Sequence, residues 1–298
     1  MKVYIKRHNN GAGRWIYNGY FSAWESLGYN AIFYDNLEDI ETYGDYYVMA
    51  LDSDIRESNY KVIENSRKSF VYVQPNSFPT PWGTHPNFVS LCSDPIIEKL
   101  NSSENVYRWS FAKVTDFHFK WIDVNYIPLA FDSINYEYIE DSKYQFDVCF
   151  IGGWADNGFN EKRKIMLDYF KEFKDTSIKC GIFINKNISH EQENKILSNS
   201  KVALNIHDAY QRVLGLDTNE RTFKSLGLTG LLLSDRVEEV TNLFPKVQTV
   251  SSPKEMKHAV VTFLAKNRKE LKTIKEQNRF DILKNHTYTK RVESLLHL

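Results

Sequence analysis

The sequence predicts an α/β protein made of two Rossmann-like, doubly wound domains facing a cleft. Three observations carry that expectation. Short uninterrupted apolar runs alternate with helix-like stretches, as in a parallel sheet buried on both faces. The alternation runs through the first half and restarts in the second. The chain has 298 residues, a length that fits about two domains.

In the first half, residues 2–7 read as a strand. The loop His8-Asn9-Asn10-Gly11-Ala12-Gly13 follows, polar and glycine-bearing. Residues 14–27 read as an aromatic-rich helix closed by Gly28, where a left-handed residue is favoured. Further strands are expected at 31–34, 46–51, 69–73 and 88–92. Asp94 then reads as an N-cap, with Pro95 at the first helical position. Residues 132–145 are polar and read as the linker.

The second half repeats the pattern. Strands are expected at 147–151, 177–184, 202–206, 231–233 and 247–250, and helices at 161–173, 220–228 and 237–244. Ser189-His190-Glu191-Gln192 reads as a capping box opening a helix to about 199, and Ser252-Pro253-Lys254-Glu255 as another opening a long helix. The tail carries many lysines and arginines, as a solvated helix face does.

Composition excludes several classes. Lys+Arg and Asp+Glu are both 38, so the net charge is zero, which argues against neutralising a phosphate backbone as the main activity. Cys92, Cys149 and Cys180 are scattered and odd in number, so buried thiols are expected rather than a disulfide framework. No apolar stretch reaches the length of a membrane span and no signal peptide opens the chain, so a cytoplasmic protein is expected. The histidines show no paired metal spacing.

Two stretches could carry chemistry. The run Asp147-Val148-Cys149-Phe150-Ile151-Gly152-Gly153 is a strand ending in glycines, which leaves bare backbone N–H groups ahead of a helix. That is an anion site, and Arg163 in the helix's first turn could clamp a diphosphate. The second stretch, Asn219-Glu220-Arg221-Thr222-Phe223-Lys224, puts Arg221 and Lys224 on one helix face. Two cations there could hold a diphosphate leaving group, and Glu220 could accept ribose hydroxyls. Asp52-Ser53-Asp54 has the form of a metal-binding DxD, but it comes early, and the second half already supplies a nucleotide site. Gly11-Ala12-Gly13 is no dinucleotide fingerprint, since Ile16 stands where a glycine is needed. With Arg14 it reads as an acceptor-side loop.

Jointly, DVCFIGG with Arg163, SKVALNIH at 200–207, NERTFKSLGLTGLLLSD at 219–235 and HTYTKRVESLL at 286–296 resemble the GT-B glycosyltransferases of the CgeB-like, group 1 type. The resemblance covers about the second half; in the first half only element order and Tyr126–Asp132 match. It implies an acceptor domain at 1–140, a nucleotide-sugar domain at 141–280 and a C-terminal helix, 281–298, crossing back to the first. It implies donor contacts from Gly152, Gly153, Arg163, His207, Asn219, Glu220, Arg221 and Lys224. It implies no essential Mg or Mn, and a nucleotide-diphosphate sugar as co-substrate. The family's glutamate after Phe223 is Lys224 here, so the retaining E-x7-E pattern is absent.

An inverting route needs a general base near the acceptor hydroxyl. Strand-end candidates in the first half are His8, Asp52 and His85. The expected acceptor is a glycan, a lipid-linked sugar or a small molecule. Three other readings stand beside this one: a phage-type enzyme glycosylating modified DNA bases, a nucleotide-sugar epimerase, and a non-catalytic sugar-nucleotide-binding protein.

Overall fold

The structure is a computed structural model that describes residues 1–9, 11–84, 88–154 and 161–298. The chain divides into two units, Met1–Pro128 with Tyr288–Leu298, and Leu129–Thr287.

The first unit holds six parallel strands: β1 (Lys2–Lys6), β2 (Asn30–Tyr34), β3 (Tyr46–Leu51), β4 (Lys68–Tyr72), β5 (Val106–Ser110) and β6 (Asn125–Tyr126). They lie in the order β2-β1-β3-β4-β5-β6. Strand order therefore reverses between β1 and β3, which join in parallel with Val3 opposite Tyr47. Helices α1 (Gly11–Ser26), α2 (Tyr60–Glu64) and α3 (Asp94–Ser102) connect them. The apolar runs are buried on both faces: Val3, Ile5, Val48, Phe70 and Val71 are all fully enclosed. Trp24 of α1 is fully buried, and its indole N–H reaches Met49 Sδ at 3.0 Å.

Several expectations are corrected here. Residues 88–92 form no strand: Ser90 N–H donates to Pro75 O and Cys92 N–H to Ser90 Oγ, closing a loop. The strand in that place is β5, masked in the sequence by a buried arginine. Arg108 caps the end of α3, donating to Leu100 O at 2.6 Å. Helix α1 begins at Gly11, so the glycine loop is its first turn. Ser93, not Asp94, is the N-cap of α3.

The second unit holds β7 (Phe146–Gly152), β8 (Cys180–Ile184), β9 (Ser200–Asn205), β10 (Leu232–Asp235) and β11 (Gln248–Val250) in the parallel order β11-β10-β9-β7-β8. Its helices are α4 (Glu161–Lys171), α5 (His190–Asn199), α6 (Ala209–Leu214), α7 (Glu220–Leu228), α8 (Glu238–Leu243), α9 (Pro253–Leu264) and α10 (Arg268–Asn285). Helix α4 packs with α9, and α7 with α5 and α10. Val148, Phe150, Val202, Leu233 and Val260 form the core. Strand order reverses between β7 and β9, and the carboxyl ends at such a reversal are where α/β sheets bind ligands.

The expected linker, 132–145, is part of this unit. Phe131 N–H donates to His286 O, Asp132 accepts the N–H groups of Ile134 and Asn135, and Tyr136 is buried. The expected helix 281–298 is two helices, α10 and α11 (Tyr288–Leu296). Only α11 belongs to the first unit. There Tyr288 packs on Tyr20, and Arg291 donates to Pro128 O at 2.8 Å. Cys92 and Cys149 are buried, Cys180 is half-buried, and all three are free. Among the described residues no helix is long and apolar enough to cross a membrane.

Candidate functional site

In the second unit, the glycines that end β7 are shaped by what lies behind them. Arg221, in the first turn of α7, reaches back to β7. Its Nε donates to Ile151 O at 2.7 Å, its guanidinium lies 4.6 Å from the Phe150 ring centre, and another nitrogen donates to Asn205 Oδ1 at 2.9 Å. A Cβ on Gly152 would run into that guanidinium, and a Cβ on Gly153 into Asn185 Oδ1. Asn185 in turn donates its N–H to Gly152 O and accepts the N–H of Trp154. The glycines are therefore required by Arg221 and Asn185 as well as by a bare backbone.

Beneath this surface runs a buried polar network. His207 and Asp235 have no exposed surface, and His207 Nδ1 lies 2.6 Å from Asp235 Oδ1. Burial raises the Asp235 carboxyl, but His207 and Arg212 outweigh it and hold it below its usual range. An ionised Asp235 only accepts, so His207 Nδ1 carries a proton. His207 Nε2 meets Thr218 Oγ1 at 2.8 Å, Thr218 meets Thr222 at 2.6 Å, and Asn205 Nδ2 donates to Thr222 at 2.8 Å. Asn205 and Asn219 exchange amide hydrogen bonds.

The charged groups divide into two sets. Lys224 is buried and paired to Glu193 at 2.9 Å, and Glu193 also accepts from Tyr136 at 2.8 Å. Arg221, His207 and Lys224 thus lie at most 8% exposed, behind the surface rather than on it. The second set is Lys162 and Glu220, both half-buried, and Arg163, which is exposed. Lys162 pairs with Asp208 at 2.9 Å; burial lowers its ammonium, and Asp208 opposes the shift. Arg163 is exposed over the Trp154 ring at 5.7 Å. Burial raises the Glu220 carboxyl, but Lys224, Arg221 and Lys162 more than cancel that, so it is held below its usual value. Gly153 together with the first turns of α4 and α7 offers backbone N–H groups and cations to an anion.

In the first unit, the reversal between β1 and β3 gathers a second cluster. The His8 ring stacks on Tyr17 at 4.4 Å, and Gly13 lets it approach, since a Cβ there would meet His8 Nδ1 at 2.8 Å. Lys6 and Asp54 pair at 3.1 Å. His8 Nε2 and Tyr17 Oη are buried and have no hydrogen-bond partner among the described residues. Burial, then Lys6, lowers the His8 imidazole, against Asp54. Gly11 takes the left-handed φ of 59°, and Arg14 is exposed beside Trp15. Asp52 is fully enclosed and accepts the Gln74 N–H at 3.0 Å. His85 lies outside the described residues. Among the described residues no group of His, Cys, Asp and Glu could hold a metal ion.

A profile of the glycosyl transferase-like family matches residues 139–297, more than half of the chain. The chain belongs to this family.

The glycosyltransferase has the GT-B fold of solved enzymes that share little of its sequence. It is similar to an alpha-glucosyltransferase in complex with UDP and a 13-mer DNA containing an HMU base, at 11% identity and a TM-score of 0.64, covering 100% of this chain and 98% of that one. It is also similar to an alpha-glucosyltransferase in complex with UDP, at 10% identity and a TM-score of 0.60, covering 96% and 95%. A third is AviGT4, a glycosyltransferase involved in avilamycin A biosynthesis, at 10% identity and a TM-score of 0.54, covering 99% and 96%. No curated protein matches the sequence.

For the glycosyltransferase, the structure brings Gly152, Gly153, Asn219, Glu220, Arg221 and His207 into one assembly. Sequence reading missed Lys162, Asn205, Thr222 and Asp235. Lys162 adjoins the predicted Arg163, and Asp235 ends the motif strand LLLSD, so both were within reach. Asn205 lies in SKVALNIH and Thr222 in NERTFKSL, but only the fold, which joins β9 to α7, brings the two together.

Proposed function

We propose that the chain transfers a sugar from a nucleotide-diphosphate donor, held on the second unit, to an acceptor hydroxyl served by the first. The observation that supports it is Arg221 seated beneath Gly152, which keeps bare backbone at the strand reversal. On this reading the diphosphate lies against Gly152 and Gly153, with Lys162 and Arg163 balancing its charge. Glu220, held ionised, accepts ribose hydroxyls. His207, Asn219, Arg221 and Lys224 shape this cradle from behind. Fixed cations and amide dipoles lower the barrier by stabilising the leaving diphosphate, and no metal is essential.

His8 is the acceptor-side base. A buried nitrogen without a partner, placed at a strand reversal, is satisfied when a ligand hydroxyl fills it. The acceptor oxygen bonds to the donor C1 as the bond from C1 to the diphosphate oxygen breaks. The hydroxyl proton passes to His8, and the electron pair leaves with the diphosphate. Gly11, Gly13 and Arg14 flank the acceptor, expected to be a glycan.

A DNA acceptor is the second reading, favoured by the likeness to an alpha-glucosyltransferase complexed with DNA. Zero net charge weighs against it. The test is calorimetric titration with UDP, GDP, CDP and dTDP, without metal. One nucleotide should bind selectively, and Lys162→Ala with Arg163→Ala should weaken it by about tenfold or more. Equal affinity for all four, or no loss in the double variant, would sink the donor reading.

A further inference from the structure

A groove of 650 Å³ opens in the second unit, among α4, α6, α8 and the ends of β10 and β11. That volume is within the range of about 300–1,000 Å³ for small-molecule sites. Ile165, Leu214 and Val250 supply its apolar surface. Arg236 stands on it exposed, and no ion pair engages its guanidinium among the described residues. Thr241, Asn242 and Ser251 add exposed hydroxyl and amide groups; the one carboxylate of the lining is Glu238, lying across Gly215. None of the groups proposed above to meet the donor lines this groove.

The groove also contains Arg212, one end of the buried polar network. Arg212 Nε lies 3.3 Å from Asp235 Oδ2, and Asp235 holds His207. From His207 the hydrogen bonds continue through Thr218, Thr222 and Asn205 to Arg221, beneath Gly152. An oxyanion beside Arg212 competes with Asp235 for that guanidinium and so alters what Asp235 offers His207.

We propose that this groove is a second ligand site, taking a small organic oxyanion with an apolar body, and that its occupancy changes donor affinity through Arg212. The coupling half rests on the donor reading above; the binding half does not.

The test is a titration of the intact chain with phenyl phosphate up to about 10 mM, followed on methyl resonances, with and without saturating UDP. Saturable shifts are expected at the Ile165, Leu214 and Val250 methyls in both conditions. Binding should weaken by about tenfold or more in Arg236→Ala and in Asn242→Trp, both exposed positions. Saturating phenyl phosphate should change the UDP dissociation constant by about threefold or more in the wild type, and not in Arg236→Ala. No shift at these methyls, or shifts untouched by both variants, overturns the site. An unchanged UDP affinity with the methyls saturated overturns the coupling. If GDP, CDP or dTDP binds in place of UDP, the coupling is read on that nucleotide; failure of all four to bind counts against the donor reading, and the methyl shifts still decide the site.

Discussion

Two groups in the first unit show how burial sets a residue's role. His8 and Asp52 end neighbouring strands, and each has a buried atom without a hydrogen-bond partner among the described residues, His8 Nε2 and Asp52 Oδ1, but His8 is half-buried whereas Asp52 is sealed in the core. Replacing His8 with Asn should lower kcat by roughly 100-fold or more while leaving donor affinity unchanged. The wild-type acid limb of kcat/KM should fall below the ordinary imidazole value of about 6.5, because burial and Lys6 disfavour the cation. The same depression means that His8's stabilising contribution is present above the unfolded value and lost as pH falls. An acid limb unchanged from wild type in the Asn variant would exclude His8 as the base. Asp52 has the opposite sign. Burial pushes its carboxyl up to about 6, so its contribution is full at low pH and lost as pH rises through that value. Asp52→Asn keeps an acceptor for Gln74 N–H and removes the charge. Its stability gain over wild type should grow by about 2 kcal/mol between about pH 4 and about pH 8, read from urea midpoints. A pH-independent difference would contradict this.

Secondary elements were legible where one physical signal dominated. The capping box at Ser189 opens α5, and the apolar run 46–51 is β3. Strand β5 was hidden because Arg108 points its charge at the carbonyl end of α3, a contact visible only once both elements are placed. The glycine turn was misjudged for a similar reason, since Gly13 yields space to His8 within the first turn of α1. Lys224 looked like a donor contact, but its partner Glu193 comes from α5, a pairing that no local spacing announces. Helix α11 docks with a close approach at Gly19: a Cβ there would run into the Tyr288 ring. Gly19→Ala gains helix propensity yet forces that ring aside, and should cost about 1–3 kcal/mol. Near-ultraviolet circular dichroism should change alongside the denaturation midpoint; a stabilised variant would contradict the contact.

At the scale of the whole molecule, the two halves differ in how much their sequence reveals. The family profile starts at residue 139, so it covers most of the second unit and helix α11. The residues there carry the family's motifs, whereas the first unit matches solved structures through its fold alone. The expected division at 140 was late because Phe131 already pairs with His286 and Thr287 in the second unit. That pairing brings the two ends of residues 129–287 together, so this segment expressed alone should fold and bind the same nucleotide as the full chain. An unfolded product by circular dichroism would show that it depends on the remainder.

The same pairing sets an order of birth on the ribosome. Residues 1–128 are made before the second unit but lack α11, whose Tyr288 covers Gly19 and Tyr20, until residues 288–296 emerge. Residues 129–287 are all synthesised before that. The unit that starts first is therefore completed after the second, and its face beside Tyr20 stays open until residues 288–296 have been made.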